Sequence, residues 1–402
     1  MEIEGPKWCG KTWTALSRAN SVIKLIDQAP RMAAQLDPAL ALVGEEPHLV
    51  DEWQEVPEVW DAVRSEVDAG GGACGRFLLT GSHALKRAER ERVRHSGAGR
   101  IGRLRLATMT LAELGESNAS VSLAALFEGN GFAPQSCPTD MTTVARWCCR
   151  GGWPGSRDVS DGVACERAMQ YVRSTLDINV VDEGLSPQIA ERVLRALAFN
   201  VGQSATRPTL LKDAGYEGAT PAQANMLDEY LALFHRLFLV NEIGGWEPPL
   251  RAKSRVRVKP KRYFADSSLA AALLRAVPDE LIFDTQTLGM LFENLVMHDL
   301  AVFAETYGHL GARLCYYRDD KGLEVDAILE RGAQWAALEI KLSDVKVDEA
   351  AANLLRLAAK VTANPAARNA APAFLAVVTG RSTLAYQRPD GVYVIPAAVL
   401  TA

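Results

Sequence analysis

Gly5-Pro6-Lys7-Trp8-Cys9-Gly10-Lys11-Thr12 is the stretch that decides how this chain is read. It fits G-x-x-x-x-G-K-[ST], in which glycines let the backbone curl until its N–H groups converge on a polyphosphate. In that arrangement Gly5 to Gly10 form the cradle. Lys11 reaches the β- and γ-phosphates, and the Thr12 hydroxyl is placed to ligate Mg²⁺. The pattern needs company to carry weight, and two later segments supply it. His48-Leu49-Val50-Asp51-Glu52 reads as a buried strand ending in two carboxylates, and Arg76-Phe77-Leu78-Leu79-Thr80-Gly81-Ser82 as a second strand ending in hydroxyls. Such parts belong to nucleotide hydrolysis.

Within that reading, Asp51 holds Mg²⁺ directly or through water, and Glu52 orients or deprotonates the attacking water. Thr80 or Ser82 senses the γ-phosphate from the neighbouring strand end. The plainer alternative has Asp51 and Glu52 capping the helix that follows. ATP or GTP would satisfy the loop, and the lack of an N-K-x-D run favours ATP. A strand of roughly 5–6 residues is expected before such a loop, yet only Met1 to Glu4 precede it, so further chain is expected upstream. Between His83 and Arg105 the chain is rich in arginine. Arg100, after Ser96-Gly97-Ala98-Gly99, is the first candidate for an arginine reaching the γ-phosphate, with Arg103 second. A solvated basic loop explains the same residues.

Residues 1–115 alternate short apolar runs with amphipathic stretches, the pattern of a βαβ array with a parallel sheet. Ser21–Ile26 suits a strand, and 11–18 and 53–67 suit helices. A length of 402 residues predicts two or three domains. A net charge of -5 gives no global bias toward nucleic acid, so any such binding must use local patches. No run of 18 apolar residues suggests a membrane span, and no secretory leader is evident. Seven cysteines without C-x-x-C spacing make a reducing cytoplasm the simplest setting.

Residues 116–160 are rich in Gly, Ser and Pro, and helical patterns follow at 165–177 and 186–201. From Thr209 to Ile243 a short helix, a turn, a second helix with Thr220 as N-cap and a strand suit a winged helix. Arg251 to Arg262 then carries seven basic residues and no acid. Its alternation with Val256 and Val258 predicts one cationic face, which either binds phosphates or packs on acidic surfaces of the other domains.

Residues 281–402 read helix, strand, strand, strand, helix, strand. Alternation puts Glu339 and Lys341 on one strand face, and Asp326 joins them if its strand pairs with theirs. Asp326 and Glu339 can hold a divalent metal, Lys341 can position or activate water for attack on a phosphodiester, and Glu293 adds a carboxylate from the helix. A salt-bridge cluster is the plainer reading.

With these residues in view the chain resembles a widespread bacterial and archaeal family. That family joins an AAA+-type P-loop ATPase to a winged-helix segment and a restriction-endonuclease-like (PD-(D/E)xK) domain. The resemblance is carried by GPKWCGKT, LVDEWQEVPEVWDAVR, FLLTGS, HSGAGR, LRAKSRVRVKPKRYFADSSLAAA, FENLVMHDL, YYRDDKGLEVDAIL and ALEIKLS. It implies an α/β fold, with a P-loop ATPase domain at 1–115, a helical linker and winged helix at 116–270, and a restriction-endonuclease-like domain at 271–402. It implies that Lys11 and Thr12 bind nucleotide and Mg²⁺, that Asp51 and Glu52 serve hydrolysis, and that Glu293, Asp326, Glu339 and Lys341 occupy nuclease-type positions. The expectation is an ATPase using ATP and Mg²⁺, coupled to DNA, with self-association or a protein partner and no membrane. The alternative is a nucleotide-gated regulatory or protein-binding ATPase whose nuclease-like domain is an inactive scaffold.

Overall fold

The computed structural model of the chain describes residues 1–81, 92–218, 220–246, 259–306, 312–365, 367 and 371–402. They form two compact units. The first comprises Met1–Thr108 and Ala232–Leu239, and the second Met109–Leu231 and Val240–Ala402.

In the first unit, β1 (Glu2–Glu4), β2 (Ser21–Lys24), β3 (His48–Asp51), β4 (Phe77–Gly81) and β5 (Arg103–Arg105) make a parallel sheet in the order β2-β3-β4-β1-β5. β3 and β4 are buried throughout, because a parallel sheet is covered on both faces and its strands read as continuous apolar runs. Alternation then sorts their side chains. Val50 and Leu79 face a core with Trp53, Val56, Trp60 and Val63, while Leu49 and Leu78 face one with Ile3 and Ala15. Each fully buried aliphatic side chain contributes about 1.5–3 kcal/mol. β1 spans three residues, and Met1 extends its ladder through its carbonyl to the Leu79 N–H at 2.9 Å. The single helix expected at 53–67 is instead a 3₁₀ turn, Trp53–Glu55, and an α-helix, Val59–Ala69. Pro57 has no N–H and disfavours the helical region for the residue before it, which divides the two.

The second unit begins with short elements, including β6 (Val121–Ser122) and β7 (Gln135–Thr139). Helices Met141–Arg150, Asp161–Ser174, Pro187–Phe199 and Arg207–Asp213 follow, and then helix Pro221–Arg236, whose residues from Ala232 group with the first unit. Thr220 caps the last as expected, accepting the Gln223 N–H at 3.3 Å while Gln223 Oε1 accepts the Thr220 N–H at 2.9 Å. β8 (Val240–Ile243) and β9 (Lys261–Phe264) pair antiparallel. After helices Ser267–Leu274 and Thr285–Thr306 come β10 (Arg313–Arg318), β11 (Glu324–Arg331), β12 (Gln334–Ser343), helix Val347–Thr362, β13 (Leu375–Gln387), β14 (Tyr393–Pro396) and β15 (Leu400–Thr401). The sheet order is β10-β11-β12-β13-β14, antiparallel up to β12 and parallel beyond, as the crossover helix requires.

Where the sequence suggested a boundary near 270, the structure groups 109–402 together. β7 pairs with β13 and β6 with β15, so residues before the helical segment complete sheets made after it. Among the described residues one helix, Thr285–Thr306, is long and apolar enough to cross a membrane, although 67% of its apolar window is buried within the fold. All seven cysteines are free thiols.

Candidate functional site

The phosphate loop leaves β1 and enters helix Lys11–Leu16. Gly5 (φ 152°) and Gly10 (φ 101°) take backbone conformations that side chains disfavour, and Trp8 (φ 64°) adopts one in spite of its side chain. The first helical hydrogen bond is Thr14 N–H to Gly10 O at 2.9 Å. The first-turn amides before it have no carbonyl of their own helix to bond. Cys9 Sγ donates to Leu106 O at 3.5 Å beneath the loop. A Cβ on Gly5 would stand 2.1 Å from that same oxygen. Gly5→Ala is therefore expected to cost about 1–3 kcal/mol of stability as an overpacking change and to weaken nucleotide binding. Thermal unfolding and nucleotide titration of the variant check this, and parental values in both would remove the steric argument.

Lys11 is buried inside the loop, its ammonium donating to Gly5 O at 3.0 Å and Pro6 O at 2.7 Å. Burial holds its pKa below the ordinary lysine value. At the end of β3, Asp51 Oδ1 accepts from Thr12 Oγ1 at 2.8 Å and from Thr80 Oγ1 at 2.5 Å. Strand register makes this possible, because Asp51 lies opposite Thr80. Glu52 follows with a left-handed backbone (φ 54°), and its carboxylate accepts from the Gln54 amide. Thus Lys11, Thr12, Asp51 and Thr80 are linked through the loop and the two strand ends, with Glu52 next in the chain. Pro6 contributes a carbonyl, and Lys7 lies between it and Trp8. Ser82 lies outside the described residues. Arg100 is not joined to the loop, since its guanidinium pairs with Asp68 at 2.8 Å; Arg103 pairs with Glu2 at 3.0 Å.

The second cluster lies in the second unit. Ala327 opposes Leu338, which sets Asp326 beside Glu339, and the fold gathers all four expected residues there. Lys341 Nζ bonds Glu339 Oε2 at 2.5 Å and Asp326 Oδ2 at 3.1 Å, and the Ile340 N–H donates to Asp326 Oδ2 at 2.9 Å. Three partners were not anticipated. Lys261 Nζ reaches Glu324 Oε1 at 2.7 Å, Glu293 Oε1 at 3.5 Å and Asp326 Oδ1 at 3.7 Å. The Tyr263 hydroxyl donates to Glu293 Oε1 at 2.7 Å. The signal for Lys261 lies in the alternative that the basic run packs on acidic surfaces of the other domains, which named no residue. Arg251 to Arg257 lie outside the described residues.

Burial, with the Asp326 charge second, pushes Glu339 up to about 8 and Glu293 up to about 7. Burial opposes ionisation of Asp326 as well, but Lys341 and Lys261 outweigh it and hold that carboxyl below the usual range. Among the described residues no group of three or more His, Cys, Asp or Glu side chains is arranged to hold a metal ion. In this arrangement ammonium groups and a backbone amide engage oxygens of Asp326 and Glu339, the pair expected to hold a metal.

A parallel sheet with a phosphate loop after its inner strand β1 and an acid at the end of β3 defines a P-loop nucleotide-binding domain. Residues 1–115 match the family model of an AAA domain (AAA_14). Residues 141–280 and 288–400 match two domains of unknown function, DUF8612 and DUF4143. No curated protein matches the chain. Among solved structures it is similar to the Aeropyrum pernix ORC1 protein in complex with DNA, at 12% identity over 71% of this chain and 87% of that one, with a TM-score of 0.25. It is also similar to a point variant of Thermotoga maritima RuvB, at 17% identity over 60% of this chain and 80% of that one, with a TM-score of 0.22. Scores this low do not define the fold of either unit.

Proposed function

We propose that the chain is an AAA-type ATPase that binds ATP with Mg²⁺ on the loop Gly5–Thr12 and hydrolyses it with Asp51 and Glu52. The observation that carries this reading is the hydrogen-bonded set Thr12–Asp51–Thr80 beside a buried Lys11. Its donor chemistry fits the cofactor, because Mg²⁺ in such sites takes one or two protein oxygens plus substrate phosphates. When bound, Mg²⁺ would offset charge on the β- and γ-phosphates. Thr12 and Asp51 would hold it. The Lys11 ammonium would exchange its bonds to Gly5 and Pro6 for phosphate oxygens. Glu52 would orient the attacking water and accept its proton. Gln54 steadies Glu52, and its own Oε1 is a buried acceptor with no donor among the described residues, which suits a neighbouring water. Thr80 would report the γ-phosphate to Asp51, with Ser82 as a second hydroxyl. Arg100 would act on the γ-phosphate only after leaving Asp68.

Coupling to DNA is supported by the order of helices Pro187–Phe199, Arg207–Asp213 and Pro221–Arg236 before the β8–β9 hairpin, the order of a winged helix. The order of β10 to β13 around helix Val347–Thr362 supports the restriction-endonuclease-like reading of the last segment. One observation favours the scaffold alternative for its chemistry, namely that Asp326 and Glu339 are engaged by lysines. The test is ATP turnover with and without duplex DNA, run beside a plasmid-nicking assay in Mg²⁺ or Mn²⁺. Turnover raised by DNA with no nicking is expected. Turnover indifferent to DNA would assign the ATPase to a protein partner, and nicking abolished by Asp326→Ala would restore a nuclease.

A further inference from the structure

We infer that Lys261 is the resident cation of the carboxylate cluster in the second unit, so that the cluster takes no divalent metal while Lys261 is in place. The inference borrows from the proposed function only the reading of that sheet as nuclease-like. Four carboxylates converge there, from Glu293, Glu324, Asp326 and Glu339, and three of them lie within 3.7 Å of the Lys261 ammonium. Lys341 covers Glu339 and the other oxygen of Asp326. Lys261 therefore stands at the point where carboxylates of a helix and a strand meet, the place a shared metal ion would take in a metal-dependent phosphodiesterase.

Its position is set by the fold and not by side-chain freedom. Lys261 opens β9, where its backbone pairs opposite Ile243, and the residue is 3% exposed. Its ammonium also lies 5.4 Å from the centre of the Tyr316 ring. Tyr263, two residues on and on the same strand face, holds Glu293. A divalent ion entering this cluster would meet an ammonium at contact distance and would have to expel it from a buried place. Removing the ammonium reverses the balance, leaving clustered carboxylates whose repulsion a hard, oxygen-seeking cation relieves.

The test is Mn²⁺ titration of nucleotide-free, full-length protein, followed by electron paramagnetic resonance. Wild type and Asp326→Asn should give superimposable isotherms, since neither binds Mn²⁺ at the cluster. Lys261→Met should gain one Mn²⁺ bound at least roughly tenfold more tightly than any in the wild type, a difference of about 1.4 kcal/mol. The gain should vanish in Lys261→Met/Asp326→Asn. Lys261→Gln, which keeps a polar side chain, is carried alongside and should gain the same ion. Wild-type binding that weakens in Asp326→Asn overturns the inference whatever the Lys261 variants do, and so does a folded Lys261 variant that gains no Mn²⁺. Failure of the ATPase reading would appear elsewhere, as loss of nucleotide binding, and would leave this comparison unchanged.

Discussion

Glu52→Gln is expected to bind ATP with parental affinity and to hydrolyse it roughly 10²–10⁴-fold more slowly, the usual contribution of a positioned general base. Of the two strand-final acids, Asp51 is committed. One oxygen accepts from both Thr12 and Thr80, which suits a group that holds Mg²⁺ in place and does not suit a proton acceptor. Glu52 sits one residue on, turned by its left-handed backbone and held by Gln54. Glutamine keeps the size and can still bond the Gln54 amide, so the loop should not move, while the carboxylate's charge and its capacity to take a proton are lost. Phosphate release in steady state, paired with equilibrium ATP binding, separates the two effects. Parental turnover would place the base elsewhere.

Lys11→Ala should weaken ATP binding at least roughly 100-fold, about 2.8 kcal/mol. In the wild type the ammonium is held inside the loop by the Gly5 and Pro6 carbonyls, poised to pass to the phosphates. Without it the phosphates meet no cation there, in a buried setting where electrostatic effects are large. The variant should keep its far-ultraviolet circular dichroism, because the Lys11 side chain takes no part in the sheet ladder. Binding within tenfold of the parent would mean that the loop does not grip the triphosphate as described.

Much of the first unit was legible because its signals are local. The glycine-cornered loop and the apolar strands ending at Asp51 and Thr80 each lie within a few residues of sequence, and strand register alone brings Asp51 to Thr80. Helix limits were less legible where proline intervened, as at Pro57. In the second unit Asp326, Glu339 and Lys341 were readable together, since period-two alternation and adjacent strands are short-range facts. Lys261 was not assigned to them, because charge alternating with valine looks the same whether the charges face solvent or buried acids. Nor could sequence reveal that Val121 pairs beside Leu400 or Gln135 beside Ala385, because those partners are brought together by tertiary packing alone. Arg100, whose place after a glycine-rich turn suggested a phosphate contact, pairs with Asp68 here.

The most direct test of the central claim is calorimetric titration of the wild-type chain with ATP in the presence of Mg²⁺. A saturable isotherm with one site per chain, lost in Lys11→Ala, is predicted. No heat with either ATP or ADP, from protein shown to be folded, would contradict it.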